Sequence, residues 1–391
     1  MDFAASMISA NLATGRFLIA GGGIAGLAAA IALKRHGMES LVCERAPELR
    51  EVGAGLLLSP NAVHMLELLG IGQAARASSR IIKDWHILDQ RGRRLHRMNP
   101  TTRTGIPTLS LHRADLQMLL QSQLHSSALR LNCTVTGYTE SSNGVALSDQ
   151  AGAQITGTAL IGADGLNSRI RKLICADIPP RFCGYTGWRS VVPWVPQGYE
   201  GHWLSESWGE GKRFGISPLG GNRCYWYASA NRSTITPRET AVSREELLTL
   251  FGHWHHPIPE LIAATPPHLI VQNDIFERAN QAPRTDGRVT LLGDAAHAMT
   301  PNLGQGACTA MEDAWVLARE LTTSSSPSEG FRRYERARRF RISCIAYASH
   351  ALGQLIQLEN PVATASRDLF LRITPAFCSN LAMRPLFGFR G

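Results

Sequence analysis

Three glycines in the spacing Gly21-x-Gly23-x-x-Gly26 follow the apolar run Phe17-Leu18-Ile19-Ala20 and open an Ala- and Leu-rich stretch, Ile24 to His36. A dinucleotide pyrophosphate calls for this arrangement. The first glycine makes the turn, the second lets backbone N–H groups approach the phosphates, and the third lets the helix lie close on its strand. Glu44 ends the next apolar run, Leu41-Val42-Cys43, about twenty residues on. A carboxylate there accepts hydrogen bonds from ribose hydroxyls and repels a 2′-phosphate, which favours the adenosine diphosphate of FAD or NAD over NADP.

A second passage narrows the choice. Gly293-Asp294 closes the apolar run Arg288 to Leu292, and Pro301-Asn302-Leu303-Gly304-Gln305-Gly306-Ala307 leads into a helical pattern of Ala310, Met311, Ala314, Leu317, Ala318 and Leu321. A carboxylate beside a pyrophosphate is repelled unless hydroxyl donors intervene; the ribitol of a flavin supplies them and NAD does not. The N-terminus of the helix near Gly306 adds about half a positive charge, which suits the pyrimidine edge of a reduced flavin. Gly162-Ala163-Asp164-Gly165, followed by Ser168-Arg169, places a third acid at the end of a strand. FAD is therefore the cofactor expected.

These residues need elements to hold them. Strand, glycine turn, helix and strand from Phe17 to Glu44 make a βαβ unit of a parallel sheet. Helices are expected over Pro60 to Leu69 and Arg113 to Leu124, and a hairpin between about 130 and 160, turning at Asn143-Gly144. Between Tyr185 and Phe276 the aromatic-rich texture reads as an antiparallel sheet facing the substrate. After the Ser-rich break Thr322 to Ser328 the chain is helical, with Ile342, Ile345, Leu352 and Ile356 on one face and Ser349 interrupting it; such a stripe serves a core or a dimer contact rather than a membrane anchor.

Composition bounds the rest. The 391 residues, 44% hydrophobic and 18% charged, exclude wholesale disorder and suit two interlocked domains. Forty Lys and Arg against 31 Asp and Glu leave +9, a field that attracts anions. The densest cluster, Arg332 to Arg341, has Glu335 interleaved and lacks an aromatic ladder or zinc-finger spacing, so nucleic acid is not an expected partner. Eight scattered cysteines without C-x-x-C fit a reducing, cytoplasmic setting. No apolar run reaches the length of about 18 residues that spans a bilayer, so no stable membrane insertion is expected. Residues 1–15 read as a loose leader, with Met7 as an alternative start.

The chain from Phe17 to about Tyr334 resembles the single-component FAD-dependent monooxygenases of the para-hydroxybenzoate hydroxylase fold, similar to the branch of salicylate and urate hydroxylases and zeaxanthin epoxidases. The resemblance rests on the glycines at 21–26, Glu44-Arg45, Arg113 in Leu-His-Arg-Ala-Asp-Leu, the Asp164 motif, and the run from Gly293 to Gly306. It implies an α/β fold in which a Rossmann-like FAD-binding domain (16–75, 105–180 and 280–325) is interleaved with an antiparallel-sheet substrate domain (76–104 and 181–279), followed by C-terminal helices (326–391). It also implies that Arg113 serves the pyrophosphate, Val135 the adenine, Asp164 the FAD and NAD(P)H region, Asp294 the ribitol, and residues 302–306 the isoalloxazine. Ala25, Arg45, Leu57, Pro301 and Ala307 are expected to complete the cofactor contacts.

The implied chemistry is reduction of FAD by NADH or NADPH, then reaction with O2 to a C4a-hydroperoxide that delivers one oxygen atom to a small aromatic or heterocyclic substrate. Hydroxylation leads. Epoxidation, Baeyer–Villiger insertion and a non-oxygenase flavoprotein are the alternatives, and the partial W-x-W-x-I-P match at Trp188 to Pro193 argues against a halogenase. Arg213 and Tyr225 are the expected substrate-positioning pair, Arg213 clamping an anionic or carbonyl group through its planar fork. Asn302 stands where the urate-type pattern carries an acid, which disfavours urate. His253, His255 and His256 read as loop residues, and no metal is expected. A monomer or a homodimer is equally compatible.

Overall fold

The computed structural model describes residues 15–49, 54–100, 105–175, 178–237, 242–278, 284–389 and 391; apart from Gly15, the expected leader lies outside them. Phe17–Ala20, buried throughout, pairs in parallel with Ser40–Cys43 on one side and Ala159–Gly162 on the other. Val289–Leu291 and Leu129–Arg130 extend the sheet in parallel, and Thr285–Asp286 closes one edge antiparallel. The ends of these strands carry Gly21, Glu44, Asp164 and Asp294 to one rim of the sheet, where open parallel sheets bind ligands.

The helix Ile24–Arg35 buries nine of its 12 residues, because it lies between this sheet and the long helix Gly306–Thr322. Its alanines keep the interhelical distance short, and Leu27, Ile31, Met311 and Leu317 fill the layer. Gly26 permits the close seat: a Cβ there would sit 2.0 Å from the carbonyl oxygen of Gly21. Helices Pro60–Leu68 and Arg113–Gln121 form where the sequence placed them, the first opened by Ser59 and Pro60 and ended by Gly70 at φ 80°. The expected hairpin is present and gains a third strand, in the order Gln154–Gly157, Gly144–Asp149, Val135–Ser141.

A second sheet has seven strands, ordered Val271–Glu277, Arg181–Val192, Arg223–Asn231, Lys212–Leu219, Trp203–Trp208, Asp84–Asp89, Arg94–Met98. It departs from the expected antiparallel sheet at one seam, where Trp203–Trp208 runs parallel to Asp84–Asp89. Two helices within this stretch, Arg244–Phe251 and Ile258–Ala264, escaped the aromatic texture of the sequence. They cover one face, packing Leu247, Phe251, Leu261 and Ile262 against Phe214 and Trp226. The opposite face stays open toward the parallel sheet. Helices Pro327–Ile356, Pro361–Ile373 and Ala376–Phe387 complete the chain; the stripe of Ile342, Ile345 and Ile356 is core, and Ser349 is accommodated by hydrogen bonds with Thr300.

Candidate active site

Two helices begin without side-chain caps at the same rim. Gly23 precedes Ile24–Arg35 and Gln305 precedes Gly306–Thr322, and neither end has a capping hydrogen bond. The first-turn N–H groups of a helix lack intrahelical acceptors and carry its positive end. The glycines there are empty on their open side. A Cβ on Gly23 or Gly304 would meet nothing within 4 Å, and one on Gly306 only Asp294 Oδ1 at 3.9 Å. Asp294 is exposed and finds no donor among the described residues. Surplus N–H donors facing open space and a carboxylate lacking donors are what a phosphate-bearing, hydroxyl-rich ligand complements. The residues fit FAD.

Glu44 is placed by the same turn. Its Oε2 accepts from the N–H of Gly22 at 2.6 Å and its Oε1 from Ala46 at 2.9 Å, so the carboxylate fixes the glycine loop and keeps other lone pairs for a ribose. Arg45 is exposed beside it. Val135 opens the strand Val135–Ser141. Asp164 is directed elsewhere: it accepts from Ser168 Oγ at 2.5 Å and from the N–H groups of Arg169 and Ile170 at 2.7 and 3.2 Å, capping the helix Arg169–Ile174.

A cavity of about 530 Å³ runs from this rim to the open face of the seven-stranded sheet. Gly23, Ala25, Leu57, Arg113, Asp294, Pro301, Asn302, Gly304, Gly306 and Ala307 border its cofactor end. Leu303 and Gln305 do not share that wall. Gln305 is buried, donating to Ser59 Oγ at 3.0 Å and accepting from Asn61 Nδ2 at 3.1 Å, and Leu303 packs inward. Within the run 302–306, Asn302, Gly304 and Gly306 thus border the cavity, while the side chains of Leu303 and Gln305 anchor the loop to the core.

The far end is built by strand alternation. In Arg223–Asn231, Cys224, Trp226 and Ala228 face the core, while Tyr225 and Tyr227, two residues apart, face the cavity. Gly215 lies between Glu206 and Tyr227 in register, and a Cβ on it would collide with the Tyr227 ring at 2.1 Å. The missing side chain lets Tyr227 cross its neighbouring strand and donate to Glu206 Oε1 at 2.5 Å. Trp208 Nε1 donates to the other carboxylate oxygen at 3.0 Å. Arg213 lies 3.6 Å from Glu206 and over the Tyr227 ring. Burial alone would weaken the Arg213 proton, but Glu206 and the tyrosines outweigh it and the guanidinium is held more firmly charged.

Arg213 and Tyr225 are therefore brought together as expected, with one change. Glu206 already answers the arginine's charge, so the end of the cavity is a neutralised pair and not a bare anion clamp. Tyr225 seats its ring over Gly55, where a Cβ would be 2.3 Å away. Its hydroxyl is held above the ordinary phenol value by burial, against Arg189, Arg213 and Arg113, and stays protonated. Asn302 donates to the Tyr185 hydroxyl at 3.0 Å and to the carbonyl of Ser349 at 3.1 Å. Burial pushes Tyr185 up to about 12.

Sequence reasoning missed Glu206, Tyr227, Tyr185 and Arg189. The signals were a carboxylate between serines in the apolar strand Trp203–Trp208 and a lone glycine inside Lys212–Leu219. His255 Nε2 pairs with Ser207 Oγ at 2.7 Å and His256 with Glu260 at 3.0 Å, and no His, Cys, Asp and Glu grouping among the described residues could hold a metal ion.

Comparisons with known proteins agree with this geometry. The model of the family described as "FAD binding domain" matches residues 16–346. The aurachin C monooxygenase/isomerase of Stigmatella aurantiaca is 39% identical over 363 residues, covering 91% of this chain and 93% of the relative. The 3-hydroxybenzoate 6-hydroxylase 1 of Aquipseudomonas alcaligenes is 34% identical over 377 residues, covering 92% and 94%. Among solved structures, Klebsiella pneumoniae HpxO complexed with FAD and uric acid superposes with a TM-score of 0.89 at 27% identity, covering 96% of this chain and 97% of that one.

Proposed function

This chain belongs to the FAD-binding-domain family and is a FAD-dependent monooxygenase, and from that premise we propose that it hydroxylates a small aromatic or heterocyclic compound at the expense of NAD(P)H. The observation that carries the reading is the single cavity joining the open glycine rim, with Asp294, to the Arg213–Glu206–Tyr227 cluster. Bound FAD would supply the reduction by NAD(P)H and the activation of O2. Gly23, Asp294, Gly306 and Ala307 would hold it.

The protein's own contribution is binding, orientation and exclusion of water. Trp85, Tyr185, Tyr225, Tyr227 and Phe276 make aromatic walls that suit a flat ring. Tyr225, protonated and turned into the cavity, donates to an oxygen of the substrate. Because Arg213 is paired with Glu206, its end of the cavity suits a neutral or phenolic ring with one hydrogen-bonding oxygen. The relatives named for aurachin C and 3-hydroxybenzoate support ring-containing substrates.

The test is a screen of phenols, hydroxybenzoates and nitrogen heterocycles against the FAD-loaded protein. A matching compound stimulates NAD(P)H oxidation, and with 18O2 its product gains one labelled oxygen. Coenzyme oxidation that no ring compound stimulates, or a product labelled only from water, overturns the proposal.

A further inference from the structure

The long helix Pro327–Ile356 carries two apolar faces, and this chain covers one of them. Tyr334, Ile342, Ile345 and Ile356 are buried in the core. On the other side Ala337, Phe340, Cys344, Tyr347, Ala351 and Leu355 are exposed, Phe340 by 80% and Tyr347 by 76%. Successive members lie three or four residues apart, so helix geometry alone makes them one continuous stripe, about 27 Å long. Exposed apolar residues scattered singly need no explanation. A stripe with this spacing on a 30-residue helix is the seam of a coiled coil, and its complement is another helix.

The residue types say which helix. Reversed against itself about the bond between Ile345 and Ala346, the stripe sets Phe340 opposite Ala351, Cys344 opposite Tyr347 and Ala337 opposite Leu355. Each large side chain meets a small one, which is what interdigitation at core density requires. A two-fold axis makes every such contact twice. Parallel pairing would instead put Phe340 on Phe340, Tyr347 on Tyr347 and alanine on alanine. Charge selects the same direction. Arg336 and Arg339 are exposed and have no acidic partner among the described residues. Antiparallel pairing seats them beside the stretch Ala348 to Ile356, which holds no Lys, Arg, Asp or Glu and ends at the negative pole of the partner helix. Parallel pairing would set them against their own copies.

We propose that Pro327–Ile356 pairs antiparallel with the same helix of a second copy of this chain, which makes the protein a two-fold symmetric homodimer. The buried face of the helix reaches the cavity wall through Ser349, which meets Thr300 and Asn302. Substitutions in the exposed stripe therefore leave the active site untouched, and retained flavin binding checks the fold of each variant.

The experiment is sedimentation velocity of the FAD-loaded full chain over about 1–100 µM, with reductant to keep Cys344 free. A dimer is expected. Its Kd should rise about tenfold or more in Phe340→Ala, which leaves a gap, and in Ala351→Phe, which forces two rings together. The exchange Phe340→Ala/Ala351→Phe again sets large opposite small and should return the Kd to within about threefold of the parent. A parent that stays monomeric overturns the proposal, and so does a dimer whose Kd Phe340→Ala leaves unchanged. An exchange variant that associates no better than the weaker single variant overturns the antiparallel register. A monomer that pellets with phospholipid vesicles only while Phe340 is present gives the stripe to a lipid surface and overturns the proposal as well.

Discussion

Arg213 is a fully enclosed cation whose charge is met by Glu206 at 3.6 Å, and the carboxylate in turn is held by Tyr227 and Trp208. Removing one member of a buried pair leaves the other uncompensated, which costs about 3–5 kcal/mol. Glu206→Gln is therefore expected to lower the unfolding free energy by that order in urea titrations. It should also shift substrate preference toward anionic rings, read as a lower KM for a carboxylate-bearing compound than for its neutral analogue. An unchanged ratio would remove the neutralised pair from the account of specificity. Asn302 makes a related prediction. Its amide donates to the Tyr185 hydroxyl and to the carbonyl of Ser349. Asn302→Asp replaces that donor by an acceptor, and only the hydroxyl can turn to answer it. The Ser349 carbonyl keeps its bond within the helix Pro327–Ile356 but then faces a buried carboxylate oxygen with no donor between them, so a loss of about 1–3 kcal/mol in thermal or urea melts is expected.

Elements explain why part of this site could be read from the sequence and part could not. The glycine fingerprint is legible because turn, phosphate approach and helix seat fall within six residues of one loop, each demanding glycine for a local reason. The structure separates those reasons, and substitution should too. A Cβ on Gly26 sits 2.0 Å from the Gly21 carbonyl oxygen, whereas one on Gly23 meets nothing and Gly23 has φ −73°. Gly26→Ala is expected to destabilise the apoprotein. Gly23→Ala should leave its melting temperature unchanged yet weaken FAD about tenfold or more, about 1.4 kcal/mol, since the methyl occupies the approach to the helix N-terminus; fluorescence titration with FAD checks this. The cluster of Glu206, Gly215 and Tyr227 was not legible, because its members are neighbours only through the register of three strands. The helices Arg244–Phe251 and Ile258–Ala264 were hidden for another reason: they are short, and the prolines and histidines between them read as loop.

Across the whole molecule, the cofactor helix is tied to the long helix Pro327–Ile356 by charges that are largely shielded from water. Glu312 and Asp313, on Gly306–Thr322, meet Arg338 and Arg341 of Pro327–Ile356, with Arg338 at 2.6 and 2.7 Å and His297 against Asp313. Glu312 also accepts from Asn61 at 2.7 Å, and Asn61 donates to Gln305 at the start of the cofactor helix. Burial alone would raise the Asp313 carboxyl, but His297 and Arg338 overcome it and hold the group at about 2, below its ordinary 3.8. A depressed carboxylate contributes stability that is complete above the unfolded value and disappears as pH falls through the folded one. For this shift the contribution is about 2.5 kcal/mol, lost between about pH 5 and pH 1. Asp313→Asn lacks that titration. The difference in unfolding free energy between the parent and Asp313→Asn, from urea titrations at pH 5 and pH 2, should shrink by nearly that amount, while the other carboxylates titrate in both proteins and cancel. A difference that stays constant with pH would show that the ion pair does not couple to folding. Because the same network anchors Gln305, protonating Asp313 should also loosen the cofactor rim. In the parent protein, FAD release is then expected at a higher pH than global unfolding, read as flavin fluorescence appearing before the loss of far-UV dichroism.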